Sequence, residues 1–190
     1  MEIGKIYGLI VGLQNEINCL EKDKKESKYI IDEVAGRMQF LDYLLQNKEF
    51  RNEITSIEFS SLYDNYDVKI ITSNEIQLIE IKKRNLNSDD YQTDLLQLDK
   101  CYKMYCDLNS IAYYNEAVTN NKIKVSCYYY NFFNNNKLIK YKLDYTKIRD
   151  NYTIDKMMMQ HTTSIKSEKI LKDVVFLDRN KENAEIINLN

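Results

Sequence analysis

The first part of the chain changes its hydrophobic spacing from a helical to a strand-like period. Apolar residues three and four apart predict helices over residues 2–24 and about 27–47. After that point the spacing shortens, and three short strands are predicted at 54–62, 66–72 and 76–83. Ser73-Asn74 is a turn signal between the last two strands. The pattern therefore predicts two helices followed by a three-stranded meander.

The second part begins with a helix signal and then returns to strands. Ser88 is a candidate N-cap, and the helix it opens is expected to reach about Asp107. Strands are then predicted at 111–118, 123–133 and 137–145, with a last short strand at 174–177. Asn134-Asn135-Asn136 is typical of a hairpin turn, because Asn tolerates positive φ. Residues 153–170 fit neither pattern clearly.

This order predicts an α/β or α+β fold with a mixed central β-sheet flanked by helices. A helix crosses over after the third strand of the meander. The length of 190 residues suits one domain over residues 1–180, with its core at about 27–145 and an N-terminal helix at 2–24. Residues 181–190 are expected to form a polar, frayed tail.

Charge and composition exclude several classes of function. The formal net charge is −2, so any site for a polyanion has to be a local basic patch. The four cysteines lack CxxC spacing and are expected to be free thiols, and the single His161 excludes mechanisms that need paired histidines. The heavy use of Asn, Lys, Ile and Tyr follows from AT-rich codons, as in many phages, viruses and some bacteria.

Two sequence features concern the cellular location. No apolar run approaches the roughly 20 residues that a bilayer span requires. The N-terminus lacks the basic flank and the small-residue cleavage site of a signal peptide. We therefore expect a cytoplasmic protein with no membrane partner.

Two acids and a lysine converge in the predicted hairpin. If the hairpin is symmetric about Ser73-Asn74, Asp67 faces Glu80, and directly opposite Cβ atoms lie about 4.5–5.5 Å apart. Two carboxylates at that distance repel each other unless a cation lies between them. Lys82 shares a strand face with Glu80, and the Ile81 carbonyl adds a neutral oxygen ligand. Oxygen-rich sites of this kind suit Mg²⁺ or Mn²⁺.

The segment NYDVKIITSNEIQLIEIKKRN begins a strand with an acid, turns through a short hairpin and ends an apolar strand in E-x-K. This pattern resembles the core of the PD-(D/E)xK nuclease superfamily, with Tyr66 standing where that family usually has proline. The resemblance covers roughly residues 30–145 and implies a restriction-endonuclease-like core. It implies a Mg²⁺- or Mn²⁺-dependent phosphodiesterase in which Asp67, Glu80 and Ile81 bind metal and Lys82 assists the attacking water.

The same resemblance suggests further site residues. The helix that precedes the hairpin often carries a glutamate in that family, which makes Glu33 a candidate metal ligand. The helix that follows often presents a Gln or Lys, so Gln97 is the preferred catalytic candidate, ahead of Gln92 and Lys100. Candidate nucleic-acid contacts are Lys83, Arg84 and Lys100.

Structural roles compete with some of these assignments. Glu33 is spaced to pair with Arg37 one helical turn on. Asp64 is an alternative first acid, although a symmetric hairpin would place it opposite Lys83. The adjacent Tyr128, Tyr129 and Tyr130 are candidates for stacking on bases, but alternation along a strand sends at least one into the core.

The leading hypothesis is a DNA endonuclease or exonuclease. One alternative is an RNA endonuclease of the cap-snatching type, which has a related core but usually places its lysine elsewhere. Another is a non-catalytic nucleic-acid-binding or assembly module that retains the fold. Many relatives in the superfamily act as homodimers or in larger assemblies, and we carry that expectation over to this chain.

Overall fold

The computed structural model describes residues 1–23, 28–60, 64–90, 93–119, 122–144, 146, 152–160, 169–180 and 184–189. In these ranges the helices are α1 (Ile3–Asp23), α2 (Lys28–Gln46), α3 (Lys48–Glu53) and α4 (Leu98–Thr119). The strands are β1 (Ile54–Phe59), β2 (Val68–Thr72), β3 (Glu75–Arg84), β4 (Thr93–Gln97), β5 (Lys124–Phe133), β6 (Lys137–Leu143), β7 (Thr153–Gln160), β8 (Lys169–Asp178) and β9 (Ala184–Asn188).

The strands form a mixed six-stranded sheet and a smaller antiparallel sheet. The order of the large sheet is β1-β2-β3-β5-β6-β9, and β3 and β5 are its parallel neighbours. The small sheet has the order β4-β8-β7. Because α4 lies between β3 and β5 in the chain, it belongs to the crossover that parallel neighbours require. The fold is therefore mixed α+β, as the sequence predicted.

The large sheet is covered on both faces, and alternate residues of β3 separate the two cores. Ile79 and Ile81 pack with α1 and α2 residues such as Leu13, Phe40 and Leu44. Leu78 belongs to the other core, which includes α4 and the small sheet. Since side chains two apart in a strand share a face, Glu80 and Lys82 lie on the α4 side with Leu78.

Helix α2 lies close to β3 at Gly36. A Cβ atom at this position would come within 3.2 Å of Cγ2 of Ile81 and 3.7 Å of the main-chain nitrogen of Lys83. The missing side chain thus allows α2 to pack tightly over the end of β3 that carries the E-x-K residues.

Two local predictions are confirmed by the backbone. The hairpin between β5 and β6 turns at Asn136, whose φ is +53°. The bounds of α1, α2 and the meander strands agree with the predicted segments to within a few residues. Positions 61 and 62, at the end of the first predicted strand, lie outside the described residues.

The predicted helix from Ser88 and the predicted strand at 111–118 are both wrong. Ser88–Asp90 is a single 3-10 turn, residues 93–97 form β4, and one helix then runs from Leu98 to Thr119. Polar side chains inside α4 bond back to the preceding turn: Ser110 donates to the Cys106 carbonyl and Thr119 to the Asn115 carbonyl. The hydroxyl of Ser110 thus has its partner inside the helix, and this residue does not end α4.

The end of the chain also differs from expectation. Residues 184–188 form β9, which pairs antiparallel with β6 and becomes an edge strand of the large sheet. The ambiguous stretch contributes β7 and the start of β8, and the strand expected at 174–177 is the end of β8. Gln92 and His161 lie outside the described residues. None of the helices in the described ranges has the length and apolar character needed to cross a membrane.

Candidate functional site

The β2–β3 hairpin has the symmetric register that the sequence predicted. Val68 pairs with Ile79, and one further step places Asp67 opposite Glu80. The Asp67 N–H donates to the Ile79 carbonyl at 2.9 Å, and its carboxylate Oδ2 accepts the N–H of Ile81 at 2.5 Å. The structure therefore brings Asp67 and Glu80 together in the arrangement expected from Ser73-Asn74.

Glu80 is a fully buried carboxylate with an uneven set of partners. Its Oε1 accepts from the Lys82 ammonium at 2.6 Å and from the Lys100 ammonium at 2.5 Å. Its Oε2 is buried and has no hydrogen-bond partner among the described residues. A buried carboxylate oxygen without a partner costs free energy, so the geometry favours a ligand at this atom.

The charges around Glu80 keep it ionised. Burial alone raises its pKa, but the ammonium groups of Lys82 and Lys100 outweigh burial, and the pKa lies below its usual value. Burial likewise lowers the pKa of Lys82, while Glu80 and Asp67 raise it by more. Lys82 is therefore a protonated ammonium at neutral pH, with a side chain 39% exposed.

For Asp67 the effects that raise the pKa outweigh those that lower it. Burial and the neighbouring Glu80 carboxylate raise its pKa to about 7, although Lys82, Lys100 and the Ile81 N–H act against the shift. Two carboxylates in one buried position cannot both ionise without cost. Asp67 thus changes charge near neutral pH, and a cation placed between the two acids would favour its ionised form.

Arg37 connects Asp67 to helix α2. Its Nη2 lies 2.9 Å from Glu33 Oε1 and 3.8 Å from Asp67 Oδ1, and its Nη1 donates to the Ser60 carbonyl at 3.1 Å. Glu33 therefore reaches the site through Arg37, as the alternative pairing predicted. Within the described residues, no three His, Cys, Asp or Glu side chains are grouped so that they could hold a metal ion. A direct metal contact by Glu33 remains a prediction.

The residue that reaches Glu80 from the crossover segment is Lys100. Gln97 was expected on a helix, but it is the last residue of β4, and its side-chain oxygen accepts from Lys172 of β8 at 2.8 Å. Lys100 lies in the first turn of α4, with a side chain 28% exposed. Its ammonium adds to the positive end of the helix dipole beside Glu80.

The basic residues that follow Lys82 have different surroundings. Arg84 donates from Nε to Asn131 at 2.9 Å, and its Nη2 contacts the Tyr129 hydroxyl at 2.5 Å and the Leu95 carbonyl at 3.2 Å. Lys83 alternates to the α2 side, where Gly36 approaches its main chain. Contacts of Lys83 and Arg84 with nucleic acid remain predictions, and Arg84 would have to bind while holding these internal bonds.

The tyrosine run in β5 contributes mainly to the two cores. Tyr129 and Tyr130 are buried on opposite faces of the sheet. Tyr128 is half-buried, and the Lys140 ammonium lies 5.8 Å from its ring centroid. In this structure Tyr129 and Tyr130 are therefore enclosed and have no ring face available for a base.

Sequence reasoning missed Asn131, which is fully buried two residues after Tyr129. It pairs with Lys82 across the parallel ladder, and its Oδ1 accepts from Arg84. Its Nδ2 has no hydrogen-bond partner among the described residues. A polar residue inside the apolar strand SCYYYNFF was the available signal.

The oxygen atoms of the site are of the chemical type that hard divalent cations prefer. Asp67 Oδ1 and the partnerless Glu80 Oε2 are carboxylate oxygens, which Mg²⁺ and Mn²⁺ prefer. The Ile81 N–H points to the edge of β3 that faces Asp67, and strand geometry directs the Ile81 carbonyl to the same edge.

Comparisons of this chain with protein-family models, with curated proteins and with solved structures found no match.

Proposed function

We propose that this chain is a divalent-metal-dependent nuclease that hydrolyses phosphodiester bonds in DNA. One observation carries the proposal: Asp67 and Glu80 are buried opposite each other on one hairpin, with Lys82 beside them and Glu80 Oε2 without a partner. The pKa of Asp67 stays raised even beside Lys82 and Lys100, so a divalent cation between the two acids would favour the form in which both are ionised. The order of meander, crossover helix and parallel β5 agrees with the core that the PD-(D/E)xK resemblance implies.

Three groups of the hairpin would hold the ion. These are Asp67 through Oδ1, Glu80 through Oε2 and Ile81 through its carbonyl oxygen. When bound, such an ion supplies Lewis-acid chemistry, because it acidifies water and polarises a phosphate oxygen. The hydrogen bond from the Ile81 N–H to Asp67 Oδ2 fixes the carboxylate plane, so that the other oxygen remains available.

Lys82 acts as a hydrogen-bond donor in this proposal. Glu80 and Asp67 raise its pKa, so in the metal-free protein it is a protonated donor. A fixed ammonium beside the carboxylates can orient the attacking water and stabilise the charge that develops on the phosphate. The partial exposure of its side chain lets it meet a substrate that stays on the protein surface.

Arg37 is a positioning residue. Its guanidinium lies between Glu33 and Asp67, and it also donates to the Ser60 carbonyl, in the segment that leads into Asp67. Helix α2 thereby orients the carboxylate of Asp67 from the side opposite to Lys82. A substrate contact is not required for this role.

Metal binding tests the proposal without requiring the correct substrate. A ligand that binds only the folded state raises the melting temperature, and the stabilisation grows with the logarithm of its concentration relative to Kd. We expect Mn²⁺ to raise the melting temperature of the wild type and to have no such effect on Glu80→Gln. The matched control is Glu75→Gln on the same strand, where the carboxylate bonds Ser126 and Gln77 instead. No Mn²⁺ effect on the wild type would favour a non-catalytic module.

A further inference from the structure

We propose that Lys100 is an internal counter-ion that occupies Glu80 until a divalent ion binds, and then turns to an anionic oxygen of the substrate. This inference rests on the proposed function and adds a regulatory step to the same site. Metal binding would free the Lys100 ammonium for the substrate, and a bound anionic substrate would compensate the positive charge that the metal adds. Each ligand would therefore increase the affinity for the other.

The first observation is that two ammonium groups share one carboxylate oxygen. Lys82 and Lys100 both lie within 2.6 Å of Glu80 Oε1. The two like charges repel each other, and only the Glu80 charge between them compensates. A metal ion bound to Glu80 would neutralise that negative charge. The attraction that holds the two ammonium groups side by side would then be weaker than their mutual repulsion requires.

The second observation is the balance of charge. Three acidic side chains (Glu33, Asp67, Glu80) are matched by three basic ones (Arg37, Lys82, Lys100) in two neighbouring sets of ion pairs, one around Arg37 and one around Glu80. The charges of Glu80, Lys82 and Lys100 all act on Asp67, which couples the two sets. A divalent ion adds two positive charges to a partly buried cluster that is already neutral when Asp67 is ionised. The cluster can accept the ion only if a cation moves out or an anion arrives.

Lys100 is better placed to move than Lys82. Lys82 is on β3 beside Glu80, and both Glu80 and Asp67 stabilise its charge. Lys100 reaches Glu80 from another element, the first turn of α4, and its described ion pair is with Glu80. Its side chain is 28% exposed, less than the 39% of Lys82, but it is attached to a separate element, so its ammonium can leave Glu80 by rotation about the four-carbon stem without a change in the helix.

The position of the released Lys100 ammonium, at the N-terminus of α4, indicates which chemical group it would bind. A lysine released at a helix N-terminus sits where phosphate oxygens are also favoured by the helix dipole and by main-chain N–H groups. The substrate of the proposed reaction is a phosphodiester. The released ammonium therefore provides a phosphate contact that forms only after the ion has bound.

The test measures Mn²⁺ affinity by isothermal titration calorimetry, with no substrate present. Lys100→Met removes the competing charge and is expected to bind Mn²⁺ about tenfold more tightly than the wild type. Lys100→Arg keeps the charge and should bind like the wild type. Lys103→Met, one turn further along α4 and paired with Asp99, is the matched control and should leave the affinity unchanged.

A second measurement addresses the substrate contact. With saturating Ca²⁺, the affinity for a short DNA duplex should fall about tenfold in Lys100→Met and stay unchanged in Lys103→Met. If Lys100→Met is poorly folded, Lys100→Gln repeats both measurements, because it keeps a hydrogen-bond donor but no charge.

The outcomes separate the two proposals. If the wild type binds Mn²⁺ and Lys100→Met binds it equally or more weakly, the counter-ion role is wrong and the nuclease proposal stands. If neither the wild type nor Lys100→Met binds Mn²⁺, both proposals fail. Unchanged duplex affinity in Lys100→Met would overturn the substrate contact alone.

Discussion

Asp67 and Ile81 are joined by a hydrogen bond of 2.5 Å between a carboxylate oxygen and a main-chain N–H. The bond ties the first acid, just before β2, to the residue that follows the second acid on β3. The carboxylate of Asp67 is therefore held against the main chain of β3. This rigidity suits a metal site, whose ligands have to be held in place before the ion arrives.

Asp67→Asn should stabilise the metal-free protein at pH 8. The variant removes an ionised carboxylate that faces Glu80, while the amide oxygen can still accept from the Ile81 N–H. We expect a gain of about 1–2 kcal/mol in the free energy of unfolding, measured by urea denaturation. The same variant should lose the Mn²⁺-dependent rise in melting temperature. Lower stability together with an unchanged response to Mn²⁺ would contradict the assignment of Asp67.

The metal-free protein should lose stability as the pH rises from 5 to 8. The pKa of Asp67 is raised from an ordinary 3.8 to about 7 in the folded state, so the folded chain holds more protons than the unfolded chain in this window. Stability then falls with increasing pH, and this contribution is lost once the pH exceeds about 7. Urea denaturation at several pH values measures the slope, which Asp67→Asn should flatten.

Saturating Mn²⁺ should reduce or reverse that slope, because it binds the ionised carboxylate and releases its proton. The Mn²⁺-dependent increase in melting temperature should accordingly be larger at pH 8 than at pH 6. An increase that is equal at both pH values would mean that the ion binds away from Asp67.

Lys82→Ala should remove most of the catalytic activity. Loss of a fixed donor at the developing charge typically lowers kcat by about 10²–10³-fold. Lys103→Ala, an exposed lysine on α4 that pairs with Asp99, is the control and should cleave like the wild type. The measurement is the rate of metal-dependent cleavage at saturating substrate. A Lys82→Ala enzyme within threefold of the wild type would show that Lys82 has no role in the chemistry.

A second buried ion pair, separate from the proposed site, lies where the two sheets meet. Arg179 contacts both oxygens of Asp94, at 3.1 and 3.2 Å, and the Tyr141 hydroxyl donates to the same carboxylate at 2.6 Å. Asp94 is on β4 and Tyr141 on β6, so the hydrogen bond between these two side chains joins the small sheet to the large one. Arg179 follows β8 of the small sheet, and its guanidinium lies 4.9 Å from the ring centroid of Phe133 on β5.

Arg179→Met would leave Asp94 buried without its cation. We expect a loss of about 3–5 kcal/mol in the free energy of unfolding, measured by urea denaturation. The control Lys103→Met, in an exposed pair, should unfold close to the wild type. A loss no larger than that of the control would mean that the ion pair contributes little to the stability of the fold.

The core of the site could be predicted because its determinants are local. Alternating apolar residues set the strands, Ser73-Asn74 sets the turn, and the resulting register places Asp67 opposite Glu80. The presence of Lys82 on the same face follows from the two-residue period of a strand.

The remaining site geometry depends on pairings between distant segments. Lys100 reaches Glu80 because residues 93–97 are a strand rather than a helix, and that strand is held by β8, which lies some 75 residues further on. The edge strand β9 likewise exists through its pairing with β6. Local spacing could not reveal either pairing, since the stripe of Leu95, Leu98 and Tyr102 satisfies a helical period on its own.

The most direct test of the nuclease proposal is a cleavage assay with single-stranded DNA, duplex DNA and RNA in Mg²⁺ or Mn²⁺. The wild type is compared with Asp67→Asn, Lys82→Ala and the control Lys103→Ala. We expect metal-dependent cleavage of DNA by the wild type and the control, and its loss in Asp67→Asn and Lys82→Ala. Equal cleavage by all four proteins, or no cleavage of any substrate by a wild type that binds Mn²⁺, would contradict the proposal that this hairpin is the active site of a DNA nuclease.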